Sequence, residues 1–153
     1  MSGRVVQVNV SNGGVPKTPV AEAWVGTLGV EGDAVNHPKI HGGPDRAVCL
    51  FSADLIAALQ AEGHPITAGA TGENLTVAGL AWPALAVGAE MEVGETLRLQ
   101  LTHRVEPCRT IAGAFAGGAF KRIHPSRVPD ETRWYARVLV EGRVRPGDAV
   151  RVV

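Results

Sequence analysis

Met91-Glu92-Val93-Gly94-Glu95-Thr96-Leu97-Arg98-Leu99-Gln100-Leu101 decides the fold class. Met91 and Val93, then Leu97, Leu99 and Leu101, alternate with polar partners, the period of an antiparallel sheet with one solvated face. The same spacing occurs at the N-terminus, where Val6, Val8 and Val10 predict a half-buried strand ended by Asn12-Gly13-Gly14 and Pro16. Further strands are expected over Val20 to Val25, Ala47 to Phe51, Trp134 to Val140 and Val150 to Val153. Glu141-Gly142 reads as a hairpin turn and Pro146-Gly147-Asp148 as a second turn. One helix stands out. Ser52 is a good N-cap, Asp54 suits the positive end of the helix dipole, Leu55, Ile56 and Leu59 form an apolar stripe, and Gly63 with Pro65 ends it. Gly26 to Asp45, with Pro38 and Pro44, reads as a long loop, and Cys108 to Phe120 as short helices or a loop. Many short strands, one clear helix and 19 glycines predict a β-barrel or a β-rich α+β domain.

The composition narrows the function classes. The 153 residues fit one domain, expected over 1–153, and 45% are apolar against 20% charged, an ordinary globular balance. Fifteen basic and fifteen acidic residues cancel, which gives no electrostatic case for nucleic acid or an anionic membrane. Met1 to Val10 lacks the apolar run of a signal peptide, and no window approaches the roughly 20 apolar residues of a membrane span. Two cysteines, Cys49 and Cys108, are read as free thiols in a reducing cytosol, so the expected location is cytoplasmic. No CxxC or HExxH spacing supports a zinc site.

Three segments carry residues suited to chemistry. In His41-Gly42-Gly43-Pro44-Asp45-Arg46 the two glycines permit close backbone approach to a ligand. His41, Asp45 and Arg46 would supply a donor, an acceptor and a bidentate cation around that opening. A Gly-Pro turn with a surface Asp–Arg pair is the plain alternative. In Gly69 to Leu75, Gly72, Glu73 and Asn74 either hydrogen-bond a ligand or pin the loop's own backbone, and the second role is expected for at least one of them. Asp33 is expected to brace its loop. Cys108 follows Pro107 at a strand end and precedes Arg109, whose charge favours a thiolate nucleophile or soft metal ligand. The alternative is a small buried hydrophobe, the role assigned to Cys49 within its apolar strand. His37 and His103 are site-adjacent candidates, whereas His64 and His124, each before a proline, read as turn residues. Lys121, Arg122, Arg127 and Arg133 read as a loosely basic, solvated region.

Taken together, NGGVPK (12–17), GVEGD (29–33), HGGPDRAV (41–48), GENL (72–75), PC (107–108), RWYARVL (133–139) and RPGD (145–148) resemble, in order and spacing, the MOSC domain. The resemblance runs over nearly the whole chain. It implies a mostly β fold, a closed β-barrel similar to that of pyruvate kinase, with a few short helices. It further implies a pocket for a pterin-based molybdenum cofactor (molybdopterin), with Cys108 as molybdenum ligand or sulfur carrier, independent of pyridoxal phosphate. His41, Gly42, Gly43, Asp45, Arg46, Gly72, Glu73 and Asn74 match motif positions that line or brace this pocket. Two departures stand out: many relatives carry an arginine three residues before the cysteine, where this chain has Val105, and the C-terminal extension of longer reductase-like members does not follow the last strands.

Three functions compete at this level. The first is a molybdenum-dependent reductase of N-hydroxylated or N-oxide substrates, drawing electrons from a separate donor protein, since no flavin, nicotinamide or iron–sulfur fingerprint is present. The second is a carrier of cofactor or persulfide sulfur between a donor and a partner protein. The third, a cysteine hydrolase built on Cys108, lacks a supporting nucleophile motif.

Overall fold

The computed structural model describes residues 1–34 and 42–153. The alternating segments form the expected strands: β1 (Ser2–Val10), β2 (Thr18–Val20), β3 (Ala23–Gly26), β4 (Gly29–Val30), β5 (Val48–Ser52) and β6 (Leu75–Ala78) in the first half. The second half adds β7 (Glu90–Val93), β8 (Leu97–Arg104), β9 (Trp134–Val140), β10 (Gly142–Val144) and β11 (Ala149–Val152). Helix α1 (Ala53–Ala61) begins where Ser52 predicts, its side chain accepting from the Leu55 amide at 3.1 Å. The segment after Cys108 resolves into 3₁₀ turns at Arg109–Ala114, Ala116–Gly118 and Phe120–Ile123.

Seven strands close into a barrel in the order β1-β11-β7-β8-β9-β5-β6, with β6 returning to β1. Every neighbouring pair is antiparallel except β5 and β6, which run parallel because α1 carries the chain back between them. Strand β2 adds to the edge of β1, and β10, β3 and β4 make a separate three-stranded sheet. The closed barrel expected from the sequence is therefore the observed fold, and closure removes the exposed edges of an open sheet. Val48, Leu50, Leu99, Leu101, Trp134 and Ala136 fill the interior, all at most 1% exposed. Among the described residues no helix is long and apolar enough to cross a membrane.

Four expectations are corrected. A bulge between Val5 and Gln7 shifts the phase of β1, so Val5 and Val8 face the core while Val6 is exposed. The strand expected over 20–25 is two strands in two sheets, parted at Ala21-Glu22. The stretch 26–45 is not all loop, because Gly29–Val30 turns back to pair with β3. Glu141-Gly142 is not a hairpin turn: β9 pairs with β5 and β8, whereas β10 crosses to β3. Gly142 is required there by proximity, since a Cβ would collide with Thr96 Oγ1 and the Leu97 backbone. Glu141 instead ties the sheets' join, accepting from the Thr27 amide at 2.8 Å.

Candidate functional site

Strand alternation gives β5 and β9 two different faces. Val48 and Leu50 look into the barrel, while Cys49 lies opposite Tyr135 on the other face and forms a separate small cluster with Tyr135 and Val105. That outer face is the floor of the candidate site. His103 is paired in register with Tyr135 and its ring lies 5.1 Å from the tyrosine ring.

The 3₁₀ turn Pro44–Arg46 delivers Arg46 to this floor. Arg46 Nε donates to His103 Nε2 at 3.1 Å, and its guanidinium lies 5.9 Å from the Tyr135 ring centroid. His103 must then present a lone pair at Nε2. Its pKa is lowered, first by burial and then by the Arg46 charge, with Asp45 opposing, which keeps the imidazole neutral and accepting. Asp45 diverges from Arg46. It sits at the surface in an ion pair with Arg137 at 3.1 Å, and its backbone carbonyl accepts from Thr102. The surface Asp–Arg pair of the plain reading exists, but with Arg137 as its cation.

The loop before β6 meets the loop before β5 because parallel strands start at the same end. The Asn74 amide donates to the Cys49 carbonyl at 2.8 Å, and the Cys49 amide donates to Asn74 Oδ1 at 3.0 Å. Gly42 to Asp45 and Gly72 to Asn74 thus share one end of the fold, as the motifs predict; His41 lies outside the described residues. Gly43 takes φ 95°, a glycine conformation, and a Cβ there would meet open space. Gly72 differs, since a Cβ would press on Val15.

Glu73 and Asn74 both pin backbone. Glu73 is fully buried, with Oε1 accepting from Thr71 Oγ1 and Oε2 from the Gly69 amide and Thr76 Oγ1. Asn74 donates to Asp33 Oδ2 at 3.0 Å, and Asp33 also accepts from the Ser11 amide and from Lys17 Nζ at 2.6 Å. Asp33 is the brace the sequence suggests, locking three loops together.

The two cysteines differ sharply. Burial pushes the Cys49 thiol up to about 12, with the Arg133 charge pulling the other way. Cys108 is half-buried, heads the 3₁₀ turn Arg109–Ala114, and lies 2.8 Å from Thr110 Oγ1. The Tyr135 hydroxyl is raised chiefly by burial, also by Cys49 and Cys108, and lowered by Arg133 and Arg46. Arg46 thus lies 5.9 Å from the Tyr135 ring centroid, and Arg133 precedes that tyrosine by two residues. A broad shallow cleft bounded by Trp24, Leu28 and Glu141 lies on the small sheet and does not include Cys108.

Arg133 is the residue the sequence reading missed. In the sequence it reads as one of several solvated basic residues, yet it is 6% exposed and its Nη1 donates to the Thr71 carbonyl. Its place directly before a buried strand was the available signal, because parity with Tyr135 puts it on the same face. Arg104, one place from the position where relatives carry arginine, turns away onto Trp134 at 4.5 Å and the Pro129 carbonyl. His64 accepts the Ala116 amide and His124 accepts from Ser126, so both hold turns.

Residues 37–151 match the family model of the MOSC domain. The chain belongs to the MOSC domain family. It is 36% identical over 118 residues to the uncharacterised protein YflK of Bacillus subtilis (strain 168), covering 76% of this chain and 52% of YflK. It is 33% identical over 91 residues to protein YiiM of Escherichia coli (strain K12), covering 57% of this chain and 40% of YiiM. This MOSC chain thus spans about half the length of the curated relatives it matches. Its fold superposes on YiiM from Geobacillus stearothermophilus with a TM-score of 0.72 at 27% identity, over 99% of this chain and 75% of that one. The YuaD protein of Bacillus subtilis matches with a TM-score of 0.77 at 15% identity, over 99% and 96%, a likeness of fold alone.

Proposed function

We propose that this MOSC protein binds a pterin-based molybdenum cofactor, with Cys108 as the protein's sulfur donor to the metal. The observation that carries the reading is the contrast between a half-exposed thiol at the head of a 3₁₀ turn and a second thiol sealed by burial. The donor chemistry fits. Among the described residues no three His, Cys, Asp or Glu side chains converge to hold an ion. A single thiolate suits a soft metal that arrives with most of its coordination filled by its own dithiolene. Arg46 would hold an anionic or heteroaromatic part of the group through its planar fork, positioned by neutral His103. Asn74, Glu73 and Asp33 would act at one remove, by fixing the loops that carry Gly42 to Arg46 and Gly72.

When bound, the cofactor supplies two-electron chemistry, and in this reading the substrates are N-hydroxylated or N-oxide compounds reduced with electrons from a separate protein. The second reading is a carrier that hands the cofactor or a persulfide sulfur to a partner. The same half-exposed thiol favours it, because a partner's reactive group can reach Cys108 without unfolding the barrel. Two free thiols suit a reducing, cytoplasmic setting for either role.

Metal and pterin analysis of protein from a cofactor-competent host tests the shared core of both readings. Molybdenum and pterin should co-purify with the wild type, and Cys108→Ser should lose molybdenum while its circular dichroism stays unchanged. Equal metal in both proteins would remove Cys108 from the site. Arg46→Lys keeps the charge but loses the Nε donor that His103 accepts, so pterin retention should fall roughly tenfold, the effect of one charge-assisted hydrogen bond. Unchanged retention would count against Arg46 as a clamp.

A further inference from the structure

The loop that ends β1 carries a reactive pairing that the candidate site does not use. Asn12 is exposed and is followed by Gly13 and Gly14, whose φ values are 124° and 76°. Both lie where a side chain is strained, so the turn requires its glycines. The Asn12 side-chain amide makes no hydrogen bond among the described residues, and the Gly13 N–H donates to the Ser11 hydroxyl at a long 3.3 Å. The two other described asparagines are held fast. Asn9 is buried and donates to the Glu73 carbonyl and Thr76 Oγ1, and Asn74 is buried and donates to the Asn9 carbonyl and Asp33 Oδ2. The residues that follow them, Val10 and Leu75, are bulky and paired within strands.

We infer that Asn12 is a site of spontaneous covalent modification, in which the Gly13 backbone nitrogen attacks the Asn12 side-chain carbonyl and converts the residue to isoaspartate or aspartate. In the first step the bond from Gly13 N to Asn12 Cγ forms and the bond from Cγ to the side-chain nitrogen breaks. The Gly13 amide proton leaves with that nitrogen as ammonia, and a succinimide ring closes. Water then opens the ring. Addition at the side-chain carbonyl gives aspartate; addition at the main-chain carbonyl gives isoaspartate, in which the chain runs through the former side chain. The net change consumes water and releases ammonia, with no oxidant or reductant.

The position gives the modification a consequence. Loop 11–17 is fastened at both ends: the Ser11 amide donates to Asp33 Oδ1 at 2.9 Å, Lys17 Nζ pairs with Asp33 at 2.6 Å, and the Lys17 amide donates to the Gly69 carbonyl at 2.9 Å. Across the asparagine, Ser11 Oγ donates to the Gly14 carbonyl at 2.8 Å. Isoaspartate lengthens the backbone between these anchors by a methylene. Either product adds a negative charge to a loop whose one cation, Lys17, already serves Asp33. An aged chain therefore holds its N-terminal loop, and the Asp33 brace, less tightly than a new one.

The test needs no cofactor, so its outcome is independent of whether molybdenum co-purifies. Native protein is incubated at mildly alkaline pH and digested, each asparagine is followed by mass spectrometry, and isoaspartate is counted with an isoaspartyl methyltransferase. Asn12 should accumulate the amide-to-acid mass change, mostly as isoaspartate, while Asn9 and Asn74 stay intact. Its rate in the folded protein should lie within about tenfold of its rate in urea, the protection expected of a loop that opens at little cost. Asn12→Gln, whose longer side chain closes the ring far more slowly, should remove the signal at this position and keep the fold. The isoaspartate form, separated by ion exchange, should melt below the unmodified protein. Asn12→Asp, which adds the charge without the extra methylene, should reproduce only part of that drop. An Asn12 that reacts in urea but stays intact in the folded protein, or equally fast loss at Asn9 or Asn74, overturns the site; an isoaspartate form as stable as the unmodified protein overturns its consequence.

Discussion

Iodoacetamide at neutral pH should modify Cys108 in the folded, cofactor-free protein and leave Cys49 unmodified. The thiolate is the reacting species, and a thiol held near 12 is ionised in only about one molecule in 10⁵ at pH 7. Cys49 is also 6% exposed, beneath Tyr135 and Val105, so the reagent must wait for the local structure to open. Cys108 needs no such opening, since it is half-exposed at the head of a 3₁₀ turn with the Thr110 hydroxyl against its sulfur. The rate ratio should exceed about a hundredfold on ionisation alone, and adding denaturant should erase it. Mass-spectrometric mapping of both sites over time measures it directly. Comparable rates in the native protein, or Cys49 reacting first, would end the assignment of Cys108 as the functional thiol.

What could be read from the sequence divides along physical lines. Met91 to Leu101 announces itself because one face of each strand meets the core and the other does not. Trp134 to Val140 is legible instead through its β-branched and aromatic residues, Trp134, Tyr135 and Ala136 all being buried. Strand β6 gives no such signal: Leu75 to Ala78 are all buried, so period-2 alternation vanishes and the segment looked like part of the preceding loop. The bulge in β1 is invisible for a related reason, because the sequence of valines permits either phase and pairing with β6 chooses. At the site, the motif residues were legible as a group, while the division of labour among them was not. Asp45 and Arg46 are adjacent in sequence yet face different partners, Arg137 and His103, because the 3₁₀ turn splays them. Arg133 is hidden by composition, since a lone arginine before a strand looks the same whether it ends in water or buried against the Thr71 carbonyl.

The second large effect concerns Glu73, the carboxylate on which the loop beside the site is built. Alanine there would leave the Gly69 amide and the Thr71 and Thr76 hydroxyls without their acceptor in a space closed to water, and should cost about 3 kcal/mol or more of stability. Glutamine separates hydrogen bonding from charge. Its carbonyl can face the Gly69 amide, the one donor unable to turn round, while its amide donates to the Thr71 hydroxyl, which can accept. Burial raises the Glu73 pKa above the ordinary carboxylate range, against the opposing pull of its hydrogen bonds. The folded protein therefore keeps its proton to a higher pH than the unfolded chain does. Between the two values the native state binds more protons, so the wild type loses stability as pH rises through that window and loses none below the unfolded value. Glu73→Gln has no such titration. Its stability relative to wild type should improve from pH 4 to pH 8, whatever the offset set by the amide's imperfect fit. Urea midpoints for the two proteins across that range give the answer, and a difference that stays flat or moves the other way would mean that Glu73 is charged at little cost in the folded state. The Ala and Gln variants together would then show whether the loop is held by the carboxylate's charge or only by its two oxygens.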